Sequence, residues 1–263
     1  MNKLYIIKIG GNVLDDQEAL EQFLNDFASI KSPKILVHGG GKLASELAIK
    51  LDIEQSIVNG RRITDAETLK ITTMVYAGLI NKQLVASLQA KKNNALGLSG
   101  ADVNMITAQK RTIVDIDYGF VGDLVENGVN TDVLNSFIKQ GIVPVFSAIT
   151  HDGKGQLLNT NADTIAAAIA VALSDRYHVE LIYCFEKKGV LKNILDENSV
   201  IKTMSQQVYV DFQNDGIISE GMIPKLNNAF SALQNGVQSV FIIHYSDLLK
   251  TLNTEHAGTK LTL

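Results

Sequence analysis

The sequence predicts an α/β protein, a three-layer αβα sandwich around a mainly parallel, open sheet. Three observations predict it. Apolar, β-rich runs recur at residues 4–9, 34–37, 95–98, 142–149, 179–185 and 237–243. Most of these runs are continuously apolar rather than alternating, the pattern of strands covered on both faces. Between several of them lie helical stretches long enough for the crossovers that parallel strands require.

Composition narrows the function. The 263 residues are 46% hydrophobic and 20% charged, too apolar for a disordered chain and enough to bury a large core. A formal charge of -4 and a pI near 5.7 exclude a general affinity for nucleic acid or an anionic membrane, because both need a basic face. The single cysteine, Cys184 in "LIYCF", forms no intrachain disulfide and reads as a buried strand thiol in a reducing compartment. The chain runs from its first residues into strand-like sequence without the pattern of a signal peptide, so a cytoplasmic location is expected. The apolar stretch 165–173, "IAAAIAVAL", is about half the roughly 20 residues a membrane span needs and reads as a core helix.

The clearest helix begins at "TDAE", where Thr64 and Glu67 stand at capping-box spacing. Leu69, Tyr76, Ile80, Leu84 and Leu88 then keep a helical period to about Lys91. Between 109 and 128 the pattern changes to short alternating pieces with Gly119, Gly122 and Gly128, which predicts an antiparallel hairpin.

Four stretches carry candidate chemistry. In "YIIKIGG" an apolar strand ends in Lys8, Gly10 and Gly11. In "ILVHGGGKLASELA" a glycine loop feeds a helix, exposing backbone N–H groups to an anion. Gly39, Gly41 and Ala44 fit a loose dinucleotide fingerprint, but Arg61 and Arg62 stand where that fingerprint wants an acid. No Walker-type phosphate loop occurs. In "GQLLNTNADTIAAAIAVAL", Asn161 or Asp163 caps the helix in the plainest reading. Yet Asn159, Asn161, Asp163 and Thr164 are more polar groups than a cap needs. In "SEGMIPKLNNAFSAL", Pro224 suits the start of a helix and Lys225 falls in its first turn, where the dipole disfavours a cation. Such a lysine is either solvated or facing an anion. Arg62, just before the Thr64 helix, is plain surface or a fork for a carboxylate. His38, His151, His178, His244 and His256 show no ligand spacing, so no protein-held metal is expected.

Taken in order, "IIKIGGNVL", "LVHGGGK", "NGRRITDAETL", "GLSGAD", "GFVGD", "GIVPVFSAI", "NTNADTIAAAIA" and "GMIPKLNNAFSAL" resemble the amino acid kinase family over nearly the whole chain. The resemblance implies that family's αβα fold and transfer of phosphate from ATP, with Mg2+, to the side-chain carboxylate of N-acetylglutamate. The products are an acyl phosphate and ADP, in the second step of arginine synthesis. It implies that Lys8 and Lys225 stabilise the transferring phosphoryl group and that Asp163 holds both lysines. Gly40, Gly41, Arg62 and Asn159 match substrate-binding positions. Gly10 and Gly11 match the loop near the γ-phosphate, with Glu186, Gly189, Ser219 and Gly221 on the nucleotide side. Residues 1–178 would hold the acylglutamate and the dimer contact, and 179–263 the ATP. N-succinylglutamate as substrate, or a non-catalytic amino-acid sensor, are the alternatives.

The chemistry asks for such residues independently. A carboxylate attacking a phosphate about 4 Å away is repelled by roughly 4 kcal/mol at an effective dielectric near 20, so cations must converge on the path. The attacking carboxylate is already ionised at neutral pH and needs no general base. This chain departs from the family pattern in two places. "FEKKG" stands in place of an aspartate-containing turn, and "GLSGADVNMI" in place of "GLSGxDG". Arginine-inhibited relatives carry an extra N-terminal helix that the position of the first strand leaves no room for, so an arginine-insensitive homodimer is expected, with the Thr64 helix in its interface.

Overall fold

A computed structural model describes residues 1–58, 61–218, 221–253 and 257–263. It is an α/β protein with a mainly parallel, open sheet and helices on both sides. The chain divides into two compact units, Met1–Ile35 with Ala166–Leu263, and Leu36–Ile165. These are packing units, whereas the expected division near residue 178 concerns which ligand each part holds.

In the first unit the strand order is Thr203–Ser205, Thr259–Thr262, Ser239–His244, His178–Phe185, Lys3–Ile9. Lys3–Ile9 runs parallel to His178–Phe185 with Lys8 opposite Tyr183, and His178–Phe185 runs parallel to Ser239–His244. Thr259–Thr262 returns antiparallel against Ser239–His244. Leu4, Ile6, Ile7, Leu181, Ile182, Ile242 and Ile243 are wholly buried, as continuous apolar runs covered on both faces require. Helix Gln17–Ser29 starts on Asp16, whose carboxylate accepts from the N–H groups of Glu18 and Ala19, and it buries Phe23 and Phe27. Its last carbonyls are met by Lys34 Nζ, which donates to Phe27 O and Ile30 O, each at 2.7 Å. Burial lowers the Lys34 ammonium to about 8.

In the second unit, Ala95–Leu98 and residues 36–38, the end of strand Lys34–His38, both run parallel to Val143–Ser147. A separate four-stranded sheet has the order Leu157–Asn159, Ile149–His151, Ile106–Lys110, Gly122–Val129. The last two strands form the expected antiparallel hairpin. The run 142–149 is therefore not one strand. Val143–Ser147 ends before Ala148, and Ile149–His151 joins the second sheet.

The long helix also differs in detail. Its cap is Asp65, whose carboxylate accepts from Thr68 N–H at 2.8 Å, and not Thr64, whose hydroxyl donates to Arg62 O at 3.1 Å. Helical residues run on through Ala66–Thr73, a π-helical segment Met74–Ile80 and Asn81–Ala90. Such segments inside α-helices often accompany functional sites.

Candidate active site

In the first unit one lysine side chain, Lys225, and the strand that carries a second, Lys8, both neighbour Tyr183. Lys8 lies near the C-terminal end of its strand, in register with Tyr183. Pro224 and Lys225 open helix Ile223–Gln234, and Lys225 Nζ stands 5.2 Å from the Tyr183 ring centroid and 5.8 Å from that of Phe185. Tyr183 and Phe185, two apart on one strand, share a face. The aromatic pair accepts the Lys225 ammonium on its π-faces. Carboxyl ends of parallel strands are the usual ligand crevice of an open α/β sheet. Gly10 N–H donates to Cys184 O at 3.0 Å, which fastens the turn into the short helix Gly11–Asp15. The Cys184 thiol is buried and its pKa is pushed well up by that burial, so it is not a nucleophile at neutral pH.

Beside the aromatic pair is a cavity of about 370 Å³, walled by Phe185, Lys187, Gly189, Val190, Ile218 and Met222 among others. Gly189 is required in the wall. At φ +147 a side chain is disfavoured, and an added Cβ would lie 2.8 Å from Thr259 Oγ1. Val190 N–H donates to that same hydroxyl at 2.8 Å. Glu186 is exposed and Gly221 opens the turn before the Lys225 helix, while Ser219 lies outside the described residues. Lys187, which the sequence reading left unassigned, lines the cavity and pairs at 3.8 Å with Glu197.

In the second unit Gly41, Arg62, Thr64 and Asn159 form one hydrogen-bonded chain. Arg62 Nη2 donates to Gly41 O and to Ser45 Oγ, both at 2.8 Å, and Arg62 Nη1 donates to Gln55 Oε1. The Thr64 hydroxyl donates to Arg62 O and accepts from Asn159 Nδ2 at 3.0 Å. Asn161, not Asp163, caps helix Ala162–Leu173, since its Oδ1 accepts from the N–H groups of Asp163 and Thr164 at 2.8 and 3.1 Å.

Gly40 takes φ +151, and an added Cβ would lie 2.2 Å from Ile80 Cδ1 and 3.0 Å from Tyr76 Cδ1. No side chain fits there. Tyr76, read from sequence only as an apolar position of the long helix, therefore packs on the glycine loop from the π-helical segment. Burial raises its phenol above the ordinary range, against an opposing pull from Arg62.

Comparison with known proteins decides the family. The model of the amino acid kinase family matches residues 3–244. The chain belongs to the amino acid kinase family. It is 54% identical over 263 residues to an acetylglutamate kinase of Cytophaga hutchinsonii, covering 99% of each chain. It is 54% identical over 248 residues to an acetylglutamate kinase of Parabacteroides distasonis, covering 94% of this chain and 96% of that one. Among solved structures, N-acetylglutamate synthase of Neisseria gonorrhoeae, complexed with coenzyme A and N-acetyl-glutamate, superposes with a TM-score of 0.84. At 20% identity, with 99% of this chain on 59% of that one, that likeness concerns the amino acid kinase fold alone. This amino acid kinase has, among the described residues, no cluster of His, Cys, Asp or Glu that would hold a metal, and no helix long and apolar enough to cross a membrane.

Proposed function

We propose that this kinase transfers the γ-phosphoryl group of ATP to the side-chain carboxylate of N-acetyl-L-glutamate, giving N-acetyl-L-glutamyl 5-phosphate and ADP, in arginine biosynthesis. The observation that carries the reading is the approach of Lys225 to Tyr183, the register partner of Lys8, in a chain with full-length relatives named acetylglutamate kinase. Lys8 and Lys225 offset the repulsion between two anions. Positioning and electrostatic stabilisation are most of what phosphoryl transfer asks of a protein. Asp163 completes the catalytic set. The triple-glycine loop, Arg62 and Asn159 hold the acylglutamate within 1–178. Gly10, Gly11, Glu186, Gly189, Ser219, Gly221 and the apolar cavity serve ATP, largely within 179–263. In this reading the cavity takes the nucleotide base, and Lys187 of its wall and Lys225, 5.8 Å from the ring of the wall residue Phe185, face the phosphates. Mg2+ would ride on the phosphate oxygens and neutralise part of their charge.

Arg62 already spends donors on Gly41, Ser45 and Gln55. Its role in this reading is to hold the loop as well as to face the carboxylate. A homodimer forms through the long helix, where Met74 and Leu79 are 53% and 50% exposed. The enzyme works in the cytoplasm, where an unpaired thiol such as Cys184 is stable.

ADP release is measured with glutamate, N-acetylglutamate and N-succinylglutamate in turn. The expected result is turnover with N-acetylglutamate well above the other two. Turnover confined to N-succinylglutamate would move the substrate, and binding without ADP release from any of the three would make the chain a sensor.

A further inference from the structure

His38 is a buried titratable group that the mechanism does not use. It ends strand Lys34–His38, immediately before the triple-glycine loop, and its side chain is wholly buried. Nδ1 lies 2.9 Å from Gly39 O, and since a carbonyl only accepts, Nδ1 carries the proton. On the other side Asn81 Nδ2 lies 3.1 Å from Nε2. The Asn81 amide is oriented by two further bonds. Its Nδ2 donates to Val145 O at 2.9 Å, and its Oδ1 accepts from Lys82 Nζ at 3.1 Å. Lys82 Nζ also reaches Gly97 O at 3.4 Å. Asn81 is 1% exposed, so this orientation is enforced by packing as well as by bonding. A protonated Nε2 would face the amide's own N–H group, so the site holds neutral imidazole in one tautomer.

Why place such a device beside Gly39? The Gly39 carbonyl and the Gly40 N–H belong to one planar peptide, so fixing one fixes the direction of the other. A glycine loop has no side chains of its own to anchor its backbone, and each glycine has the widest conformational freedom of any residue. Burial lowers the imidazole to about 4, so it stays neutral across the physiological range.

We infer that His38 is a positioning residue for the acylglutamate site: its Nδ1–H bond to Gly39 O, braced by Asn81, aims the Gly40 N–H at the substrate. This rests on the proposed function, in which Gly40 binds the acylglutamate. The bond acts on one substrate only, because the loop lies on the acylglutamate side.

Two isosteric variants separate the two bonds. In His38→Asn the amide nitrogen takes the place of Nδ1 and keeps the bond to Gly39. In His38→Gln the longer side chain offers Asn81 an acceptor and loses that bond. The expected result is a KM for N-acetylglutamate raised about tenfold or more in His38→Gln, the equivalent of one lost hydrogen bond, but by less than about threefold in His38→Asn. KM for ATP stays constant in both. Equal KM values in the two variants, or an equal rise in KM for ATP, overturn the inference. A second measurement needs no variant. Nitrogen-15 spectra of histidine-labelled wild-type protein are predicted to show His38 with the proton on Nδ1, and a proton on Nε2 overturns the inference. Wild-type protein that releases no ADP with N-acetylglutamate would instead overturn the proposed function.

Discussion

At the scale of single residues, the account places charge where anions must meet. Lys8→Ala or Lys225→Ala is expected to lower turnover about 100- to 1000-fold, the loss typical of one electrostatic stabiliser. Near-normal kcat in either variant would remove that lysine from the mechanism. His38 gives a prediction about stability. Its folded-state value is depressed from 6.5 to about 4, so between those values the unfolded chain binds a proton that the folded chain does not. The stability it contributes is fully present above about pH 6.5 and is lost as pH falls through 4. Urea unfolding at pH 7 and pH 4 should show wild type losing roughly 3 kcal/mol more than His38→Asn, and a difference under about 1 kcal/mol contradicts it.

At the scale of elements, caps and register decide which side chains remain for chemistry. Asp65 caps the long helix, while Glu67 pairs with Lys70 on the exposed face instead of closing a capping box. Asp65→Ala should therefore cost about 1 kcal/mol in urea unfolding and Glu67→Ala close to nothing. Equal losses would restore the capping box. Thr64 was freed from capping to link Arg62 with Asn159, a role that four-residue spacing does not reveal. The central strands were legible because continuous apolar runs are costly anywhere but between two layers. Strands Thr203–Ser205, Thr259–Thr262 and Leu157–Asn159 were not, because three or four residues with mixed polarity carry too little periodicity. Tyr76 escaped for a related reason. A tyrosine at an apolar helical position looks like core until the glycine loop packs against it. Val103 takes φ +47 in "GLSGADVNMI", where the family pattern puts glycine. Sequence marks the departure, and the Asp102 carboxylate, which accepts from the Ser99 N–H and hydroxyl at 2.6 and 2.8 Å, helps to hold that turn.

At the scale of the whole molecule, the order of motifs across 263 residues carried more information than any one of them. A triple glycine, a lysine at a strand end and a polar helix start each have ordinary readings. Together they match a family that the comparisons confirm over residues 3–244. The assembly is tested by sedimentation. The account predicts a dimer of the 28.6 kDa chain, and a monomer at micromolar concentration would contradict it. The central claim is carboxylate phosphorylation through Lys8 and Lys225. The direct measurement mixes purified protein, MgATP and N-acetylglutamate with hydroxylamine, which traps an acyl phosphate as a coloured hydroxamate. The account predicts hydroxamate in step with ADP for the wild type and almost none for Lys8→Ala or Lys225→Ala. ADP release without hydroxamate, or hydroxamate undiminished in either variant, would contradict it.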